Sequence, residues 1–391
     1  MRLCGVRDGV VYGVDGREVV EGPVRPGRAV ELPGRGVRAQ VAGGGLERVG
    51  RLPRAPGLAP ARRLLTGPAA GAVTTLVGEV ATATVYRLSA TDWLAATGSQ
   101  LFSSHDGGAS WQRRRGLARS SGPMGVLPTA VCEHDGTVLV GEYPLGEEVP
   151  RLLASADDGR TWGTRLALPA VRHVHAVQAD PHGSGVWVTT GDADDECRIG
   201  RLRADRNDLD VVGGGSQEWR AVELAFTREA VLWGMDCGYA DGNGLFRLDR
   251  SDLGDVGEDP PCPVPTRVGE ADGSVYYAAT LSVEGVEWVV FSTAVETGQD
   301  RTAPDETASG APAQVLAASA RTGFTEWHEL ARFEKRGRLA DHLPRLPSAN
   351  AYVSLAAGPD GGLLVNPFNT AGLGGQLLRV PPEVFAALAQ R

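Results

Sequence analysis

The chain has little of the chemistry that nucleic-acid and membrane partners require. Lys335 is the only lysine among 39 basic residues, and 48 acidic residues give a net charge of −9. Neutralising phosphates requires a basic face, so we expect no nucleic-acid partner and no partner among anionic membranes. Because no apolar run approaches about 18 residues, no membrane-spanning helix is predicted either.

Cysteines are scarce and scattered. The five of them, Cys4, Cys132, Cys197, Cys237 and Cys262, include no CxxC pair. A disulfide framework and a cysteine-based zinc site are therefore not predicted. The first residues also lack an apolar core of signal-peptide length. We expect a reduced, monomeric protein of the cytoplasm, with secretion as the alternative.

Long helices are scarce as well. The 391 residues include 53 Gly and 25 Pro, and few apolar positions recur with the helical period, which predicts many short strands joined by turns. The exception is the segment 381–390, where prolines suit a helix start and Val384, Phe385 and Leu388 form an apolar stripe. We expect one domain over residues 1–391 that includes this short C-terminal helix.

What the chain does have is a repeated octet, S-x-D-x-G-x-[ST]-W, at 104–111 and again at 155–162. Ser and Asp side chains accept hydrogen bonds from nearby backbone N–H groups, Gly tolerates a left-handed backbone, and Trp supplies an apolar anchor. The octet therefore predicts the tip of a β-hairpin. The predicted structural residues are Ser104, Asp106, Gly108, Trp111, Ser155, Asp157, Gly159 and Trp162.

Weaker copies of the octet at 203–209, 247–253 and 319–327 extend the repeat. A spacing of about 40–50 residues is typical of β-propellers. The sequence thus predicts an all-β fold, a single β-propeller of four-stranded antiparallel blades. Seven blades are expected, with six as the alternative, and an N-terminal strand should complete the last blade.

The octets resemble the Asp-box, or bacterial neuraminidase repeat, of sialidase-like β-propellers, and the resemblance covers roughly 80–330. It implies that each octet is the turn between the third and fourth strands of a blade, opposite the rim that carries the ligand site. Asp-box relatives include glycosidases and non-enzymatic assembly factors of photosynthetic membranes. Propeller lyases acting on uronate polysaccharides are similar in their use of His, Tyr and Arg, sometimes with a divalent ion.

A true sialidase is not expected. Such an enzyme would show a Phe/Tyr-Arg-Ile-Pro segment in its first blade, and the nearest approach here is Tyr86-Arg87-Leu88-Ser89, which lacks the proline. The predicted ligand rim lies elsewhere. Counting back from the octets gives first strands near 129–135 and 173–180 and second strands near 137–143 and 186–191. In the next blade, residues 217–220 should open the first strand and 233–236 close the second.

These placements bring one set of side chains to the rim opposite the octets. The candidate catalytic residues are Glu142, Tyr143, His173, His175, Asp192 and Arg220, and the candidate substrate-binding residues are Gln217, Trp219 and Asp236. Trp219 would stack on a sugar face; packing between blades is the alternative.

His173 and His175 stand on one face of a strand, where they can act as a base and its orienter. They can also share a divalent metal, with Glu142, Asp192 or Gln217 as further ligands, or merely hydrogen-bond to neighbours. No cofactor is certain, and a divalent metal is the only candidate.

Arg220 can grip a substrate carboxylate, or form a structural salt bridge to Asp192 or Asp236. The polar insertion 296–312 is expected to be a lid or a disordered loop. Together these features predict a carbohydrate-active protein, a glycosidase or polysaccharide lyase acting on an acidic or polyhydroxylated sugar. The alternative is a non-catalytic binding or assembly scaffold.

Overall fold

The computed structural model describes residues 1–43, 45–53, 78–120, 122–183, 185–203, 207–254, 263–296, 311–339 and 349–390. Most of the 296–312 insertion and Cys262 therefore lie outside the described residues. The four described cysteines are free thiols. No helix in the described ranges is long and apolar enough to cross a bilayer.

Five sheets have the same construction, four antiparallel strands each. The first comprises β1 (Arg2–Arg7), β2 (Val10–Asp15), β3 (Glu18–Gly22) and β6 (Glu47–Arg51). The second comprises β7 (Ala83–Arg87), β8 (Trp93–Thr97), β9 (Gln100–Ser104) and β10 (Gln112–Gly116). The third comprises β11 (Val131–His134), β12 (Thr137–Gly141), β13 (Arg151–Ser155) and β14 (Gly163–Ala167).

The next two sheets carry most of the predicted rim residues. One comprises β15 (His173–Ala179), β16 (Val186–Gly191), β17 (Arg198–Leu202) and β18 (Leu209–Gly214). The other comprises β19 (Leu224–Phe226), β20 (Ala230–Gly234), β21 (Asn243–Asp249) and β22 (Thr266–Ala271). In both, consecutive strands are neighbours, so the chain moves stepwise across each sheet.

The remaining strands form one nine-stranded sheet. Its strands are β4 (Arg25–Glu31), β5 (Arg38–Gly43), β23 (Val275–Val283), β24 (Val286–Val295), β25 (Ala313–Ser319), β26 (His328–Phe333), β27 (Ala351–Ala357), β28 (Leu363–Phe368) and β29 (Leu378–Val380). The strands β23 to β26 pair in order, as do β27 to β29. N-terminal β5 pairs with β29, as expected for an N-terminal strand that completes the last blade.

The sheets are arranged as a β-propeller, as the octet spacing predicts. First strands of successive sheets contact one another: β11 contacts β15, β19 contacts β23, and β23 contacts β27. The ring continues through β1, which contacts both β27 and β7. Between β15 and β19, Gln178 Nε2 donates to the Leu224 carbonyl at 3.1 Å, and the Leu224 N–H donates to Gln178 Oε1 at 2.8 Å.

Both octets join the third strand to the fourth strand of their sheets, as predicted. In the second octet, Ser155 Oγ donates to Asp157 Oδ1 (2.8 Å) and accepts from the Gly159 N–H (2.9 Å). Asp157 also accepts from Thr161 N at 2.8 Å and Thr161 Oγ1 at 2.7 Å. The first octet repeats these bonds, with Ser110 in the place of Thr161. The turns are self-contained in these bonds, because each bond joins residues no more than four apart.

The apolar core lies between the sheets, where large side chains such as Trp93, Trp233 and Trp288 are fully buried. In the described ranges, the α-helix α1 (Pro382–Leu388) follows β29 and begins with prolines. Its buried Phe385 packs edge-on against Trp288, with ring centroids 5.4 Å apart. The antiparallel order places the starts of first strands and the ends of second strands at the edge opposite the octets. That edge is where the candidate site forms.

Candidate functional site

Acidic residues follow the second strand in four successive sheets. Glu142 follows β12, Asp192 follows β16, Asp236 lies two residues after β20, and Glu296 follows β24. These positions are similar in the repeat, so the four residues lie at one rim of the ring. The last three contribute to one polar network.

Two buried histidines form the centre of this network. His173 and His175 lie at the start of β15, and a register shift of β15 against β16 falls between Val174 and Ala176. Their Nε2 atoms are 3.0 Å apart, and their side chains are 0% and 2% exposed. Gly191 leaves room for them, because a Cβ there would lie 3.1 Å from His175 Cε1. The local sequence thus permits close approach of the two imidazoles.

One carboxylate oxygen connects the histidines to the next sheet. Asp192 Oδ1 lies 3.1 Å from His173 Nε2, 3.7 Å from His175 Nε2 and 3.0 Å from Arg220 Nη2. The other oxygen, Oδ2, accepts a 2.8 Å hydrogen bond from Arg172 Nη1. Asp192 therefore carries contacts from four basic side chains of two neighbouring sheets.

The tautomer of His175 follows from its second nitrogen. His175 Nδ1 lies 3.2 Å from the Ala221 carbonyl oxygen, which can only accept a hydrogen bond. Nδ1 thus carries the proton in this contact, and Nε2 of neutral His175 presents a lone pair to His173 and Asp192. His173 Nδ1, by contrast, has no hydrogen-bond partner in the described structure. Tyr143 stacks on the His173 ring at a centroid distance of 4.0 Å.

Arg220 is an ion-pair bridge between sheets. Besides its contact with Asp192, its Nε lies 3.3 Å from Asp236 Oδ2. Gln217 supports the same arrangement: its Nε2 donates to the Asp192 carbonyl and to Asp194 Oδ1, each at 2.8 Å. The salt-bridge alternative for Arg220 is therefore what the structure contains, with both aspartates at once. Its guanidinium is not open to a substrate carboxylate without rearrangement.

The environment pushes the pKa values of this network in opposite directions. Burial lowers the pKa of His173, and the neighbouring His175 adds to this effect. Burial raises the pKa of Asp192, but the hydrogen bond with His173 and the positive charge of Arg220 outweigh it and hold the pKa below its normal value. Burial and the charge of Asp236 raise the pKa of Glu296 to about 7. A neutral imidazole and a partly protonated carboxyl group thus coexist near neutral pH.

Glu296 extends the network into a third sheet, an extension that sequence reasoning missed. Tyr276 Oη donates to Glu296 Oε1 at 2.5 Å and accepts from Asn350 Nδ2 at 3.1 Å. Asp236 Oδ1 is buried and has no hydrogen-bond partner among the described groups. The signal was present in the sequence, because Glu296 follows β24 as Asp192 follows β16. Arg172, which directly precedes His173, was also missed.

The structure brings together seven of the nine predicted rim residues. They are Tyr143, His173, His175, Asp192, Gln217, Arg220 and Asp236. Glu142 is directed elsewhere. Its carboxylate accepts hydrogen bonds from Arg151 Nε and Nη2 at 2.7 and 2.6 Å and from the Ala118 N–H at 2.9 Å. It is saturated by these donors and lies outside the histidine cluster.

Residues 217–220 differ from the predicted strand opening. Gln217–Trp219 form a turn of 3₁₀ helix, and β19 begins only at Leu224. Trp219 is 7% exposed and stacks on Trp233 at 5.3 Å, which is the packing alternative rather than an open platform for a sugar. The turn nevertheless delivers Gln217 and Arg220 to the network, because their side chains extend towards Asp192.

The arrangement is suited to proton transfer and to cation binding. His173 has a depressed pKa beside a carboxylate that orients it, the arrangement of a general base. His173, His175 and Asp192 are also the one group of metal-ligating side chains found in the described ranges, with donor atoms within 4.8 Å of one another. Glu142 and Gln217 do not join this group.

Comparison with known proteins places the chain in no family. No family model matches it, and no curated protein matches it. Among solved structures it is similar to the Cps50 (Swd1) β-propeller domain of Myceliophteria thermophila, with 12% identity over 96% of this chain and 97% of that chain and a TM-score of 0.45.

Two carbohydrate enzymes are similar to the chain at the same sequence identity of 12%. For the GH93 α-L-arabinofuranosidase of Fusarium graminearum, the identity is 12% over 80% of this chain and 94% of that chain, with a TM-score of 0.41. For the Hadza microbial sialidase Hz136, it is 12% over 78% and 66%, also with a TM-score of 0.41. Glycosidases and a WD-type propeller thus resemble the chain equally weakly. The β-propeller fold is evident from the strand pairing itself, and these likenesses assign no activity.

Proposed function

We propose that this β-propeller binds a polyhydroxylated carbohydrate at the network of His173, Asp192, Arg220 and Asp236 and acts on it as a glycosidase or lyase. The observation that carries the proposal is the convergence on Asp192 Oδ1, which lies within 3.1 Å of His173 Nε2 and within 3.0 Å of Arg220 Nη2. These groups are close enough to serve one bound sugar ring.

The pKa shifts support an assignment of roles. His173 is the base, because its lowered pKa keeps the imidazole neutral at neutral pH. Glu296 is the acid, because its pKa of about 7 leaves a large protonated fraction there. Asp236 Oδ1 is a buried acceptor with no partner in the described structure, and a sugar hydroxyl would satisfy it. Asp192 orients His173.

A neutral polyol fits this network better than an acidic sugar. Arg220 already contacts Asp192 and Asp236, and Glu296 adds a third carboxyl group. A substrate carboxylate would have to compete with these acids for the guanidinium. Hydroxyl groups carry no such penalty, because they both donate and accept hydrogen bonds.

The test is a screen of neutral and uronate oligosaccharides with the wild type, His173→Ala and Arg220→Ala. A matched control is Arg201→Ala: Arg201 pairs with Asp210 at 2.7 Å and is 12% exposed, against 13% for Arg220. We expect kcat/KM on the best substrate to fall by about 100-fold or more in the two network variants. The control should keep the wild-type value, and a folded His173→Ala that remains fully active would refute the proposal.

A non-catalytic scaffold is the second candidate. It is favoured by the way in which the network satisfies itself, since Arg172 and Arg220 neutralise Asp192 and Gln217 caps its carbonyl. This function predicts that the wild type turns over none of the sugars and that the network variants change stability alone.

The blade count is part of the proposal. We take β23 to β26 as one blade and β27 to β29 with β5 as another, which gives seven blades in total. Supporting this division, β24 pairs with β27 through Ala294 and Val295 alone, at the end of the strand. Small-angle scattering compared with six-bladed and seven-bladed rings would test it.

A further inference from the structure

Three ligating atoms at the rim have the spacing of a metal coordination sphere. His173 Nε2 and His175 Nε2 are 3.0 Å apart, and Asp192 Oδ1 lies 3.1 and 3.7 Å from them. Zinc bonds of 2.0–2.1 Å at tetrahedral angles put neighbouring ligand atoms about 3.3 Å apart. The three distances surround this value, so a single ion can reach all three atoms without a change of fold.

From this geometry we infer that His173 Nε2, His175 Nε2 and Asp192 Oδ1 bind a divalent transition cation of the zinc class. Two imidazoles and one carboxylate are a ligand set that such ions favour, and three protein ligands are the number that catalytic zinc sites use. Both histidines lie on β15 and the aspartate follows β16, so one hairpin supplies the whole set. Strand pairing therefore holds the ligands in place.

Contacts outside the three ligands support His175 and Asp192, whereas His173 Nδ1 has no hydrogen-bond partner in the described ranges. Ligating histidines usually donate their other ring N–H to a carbonyl or carboxylate, which fixes the tautomer. His175 does so, with Nδ1 3.2 Å from the Ala221 carbonyl oxygen. On the aspartate side, Gln217 Nε2 donates to the Asp192 carbonyl at 2.8 Å and steadies the loop.

A variant of Arg220 can distinguish a cation site from a triad of side chains that only hydrogen-bond to one another. Arg220 Nη2 lies 3.0 Å from the same Asp192 Oδ1 that would ligate the ion. A bound cation and the guanidinium therefore compete for one oxygen and repel each other. Arg220→Gln should strengthen cation binding, whereas a triad without metal affinity would gain nothing from this change.

The experiment is titration of the metal-free protein with Co²⁺ and Zn²⁺ by calorimetry and, for Co²⁺, by visible absorption. We expect one ion per chain and intense Co²⁺ bands of low coordination number. His175→Ala and Asp192→Asn should weaken binding by more than about 100-fold. Arg220→Gln should tighten it by about 10-fold.

The matched control is His105→Ala. His105 Nδ1 lies 2.6 Å from Asp92 Oδ1 in the second sheet, so the variant removes a His–Asp pair that has no second histidine beside it. Circular dichroism and urea unfolding identify any variant that fails to fold, and Asp192→Asn keeps the side-chain shape. His105→Ala should bind the ion as the wild type does. The inference is overturned if the wild type binds no ion stoichiometrically, if folded Asp192→Asn binds as the wild type does, or if His105→Ala loses binding as Asp192→Asn does.

The cation site shares His173 and Asp192 with the carbohydrate proposal, but the two are tested separately. Binding is read from heat and absorption rather than from turnover, so a chain that binds Co²⁺ but cleaves no sugar upholds the site and refutes the enzyme. Conversely, a protein that binds no added ion but still cleaves sugar after exhaustive chelation upholds the enzyme and refutes the cation site.

Discussion

Aspartates at the two ends of the ring have the same side chain but different surroundings. Asp157, in the second octet, binds Ser155 and Thr161, all within four residues. Asp192 binds His173 and Arg220, which lie 19 and 28 residues away or on the next sheet. The octet carboxylate is thus satisfied by its own turn, whereas the rim carboxylate depends on distant residues of its own sheet and on Arg220 of the next sheet.

The difference shows which contacts a short sequence pattern can specify and which contacts depend on tertiary packing. An octet forms its hydrogen bonds wherever a hairpin forms, so its pattern of residue types is sufficient to predict its structure. The complete rim network exists only after Arg220 of the next sheet packs against Asp192, and it places opposite charges in a poorly solvated space. Substitutions at the two ends should therefore differ in cost.

The largest expected effect is that of Asp192→Ala. Removing this carboxylate leaves Arg220 and Arg172 with one fewer partner each, and breaking a buried pair costs 3–5 kcal/mol. Because Asp192 is 18% exposed, we expect a loss of about 3 kcal/mol in the free energy of unfolding, measured in urea. A loss no greater than that of an octet variant would erase the contrast between the two ends.

A substitution of Glu223 measures the effect of burial on a carboxyl group that has no ion-pair partner among the described residues, in contrast to Asp192. Glu223 contacts the Ala278 N–H at 2.7 Å, and burial raises its pKa to about 8. Since the folded-state pKa exceeds the unfolded one, its contribution to stability is complete below about pH 4 and is lost as pH rises through 8.

Glu223→Gln should remove this loss. We expect the free energy of unfolding of the variant to exceed that of the wild type by about 2 kcal/mol at pH 6 and to equal it below about pH 4, in urea unfolding at both pH values. Equal stability at pH 6 would mean that burial does not disfavour the ionised carboxyl group. The amide keeps an acceptor for the Ala278 N–H, so packing is unchanged.

The smallest effect is expected in the octets. Ser155→Ala leaves the Gly159 N–H without its 2.9 Å acceptor, which should cost about 1 kcal/mol. Ser104→Ala makes the same change at Gly108 and should cost the same. Unequal thermal unfolding of the two variants would show that the turns are less self-contained than their hydrogen bonds indicate.

The sequence predicted strands and turns well because their causes are local. The predicted second strand at 186–191 has the observed bounds, and both octets lie between the third and fourth strands. It offered the ion pairs of Arg220 as an alternative but did not predict the partner of Glu142. Glu142 and Asp192 hold equivalent positions, but Arg151 captures the first from its own sheet.

Side-chain partners decided the other differences. Gln217–Trp219 coil into a 3₁₀ turn because Trp219 packs on Trp233 of the same sheet, a contact that no strand pattern encodes. Glu296 was missed although it repeats the position of Asp192, since its partner Tyr276 becomes visible only in the folded ring.

The pairing of β5 with β29 also bears on the order of synthesis. Leu378 pairs with Val41, so the strand that completes this sheet is made early and its partner late. During translation one edge of β5 stays unpaired until β29 has been made, and such an edge can pair with another chain. Contacts this distant in sequence also form slowly. Assembly of the ring should therefore depend on keeping β5 apart from other chains until Leu378–Val380 has emerged from the ribosome.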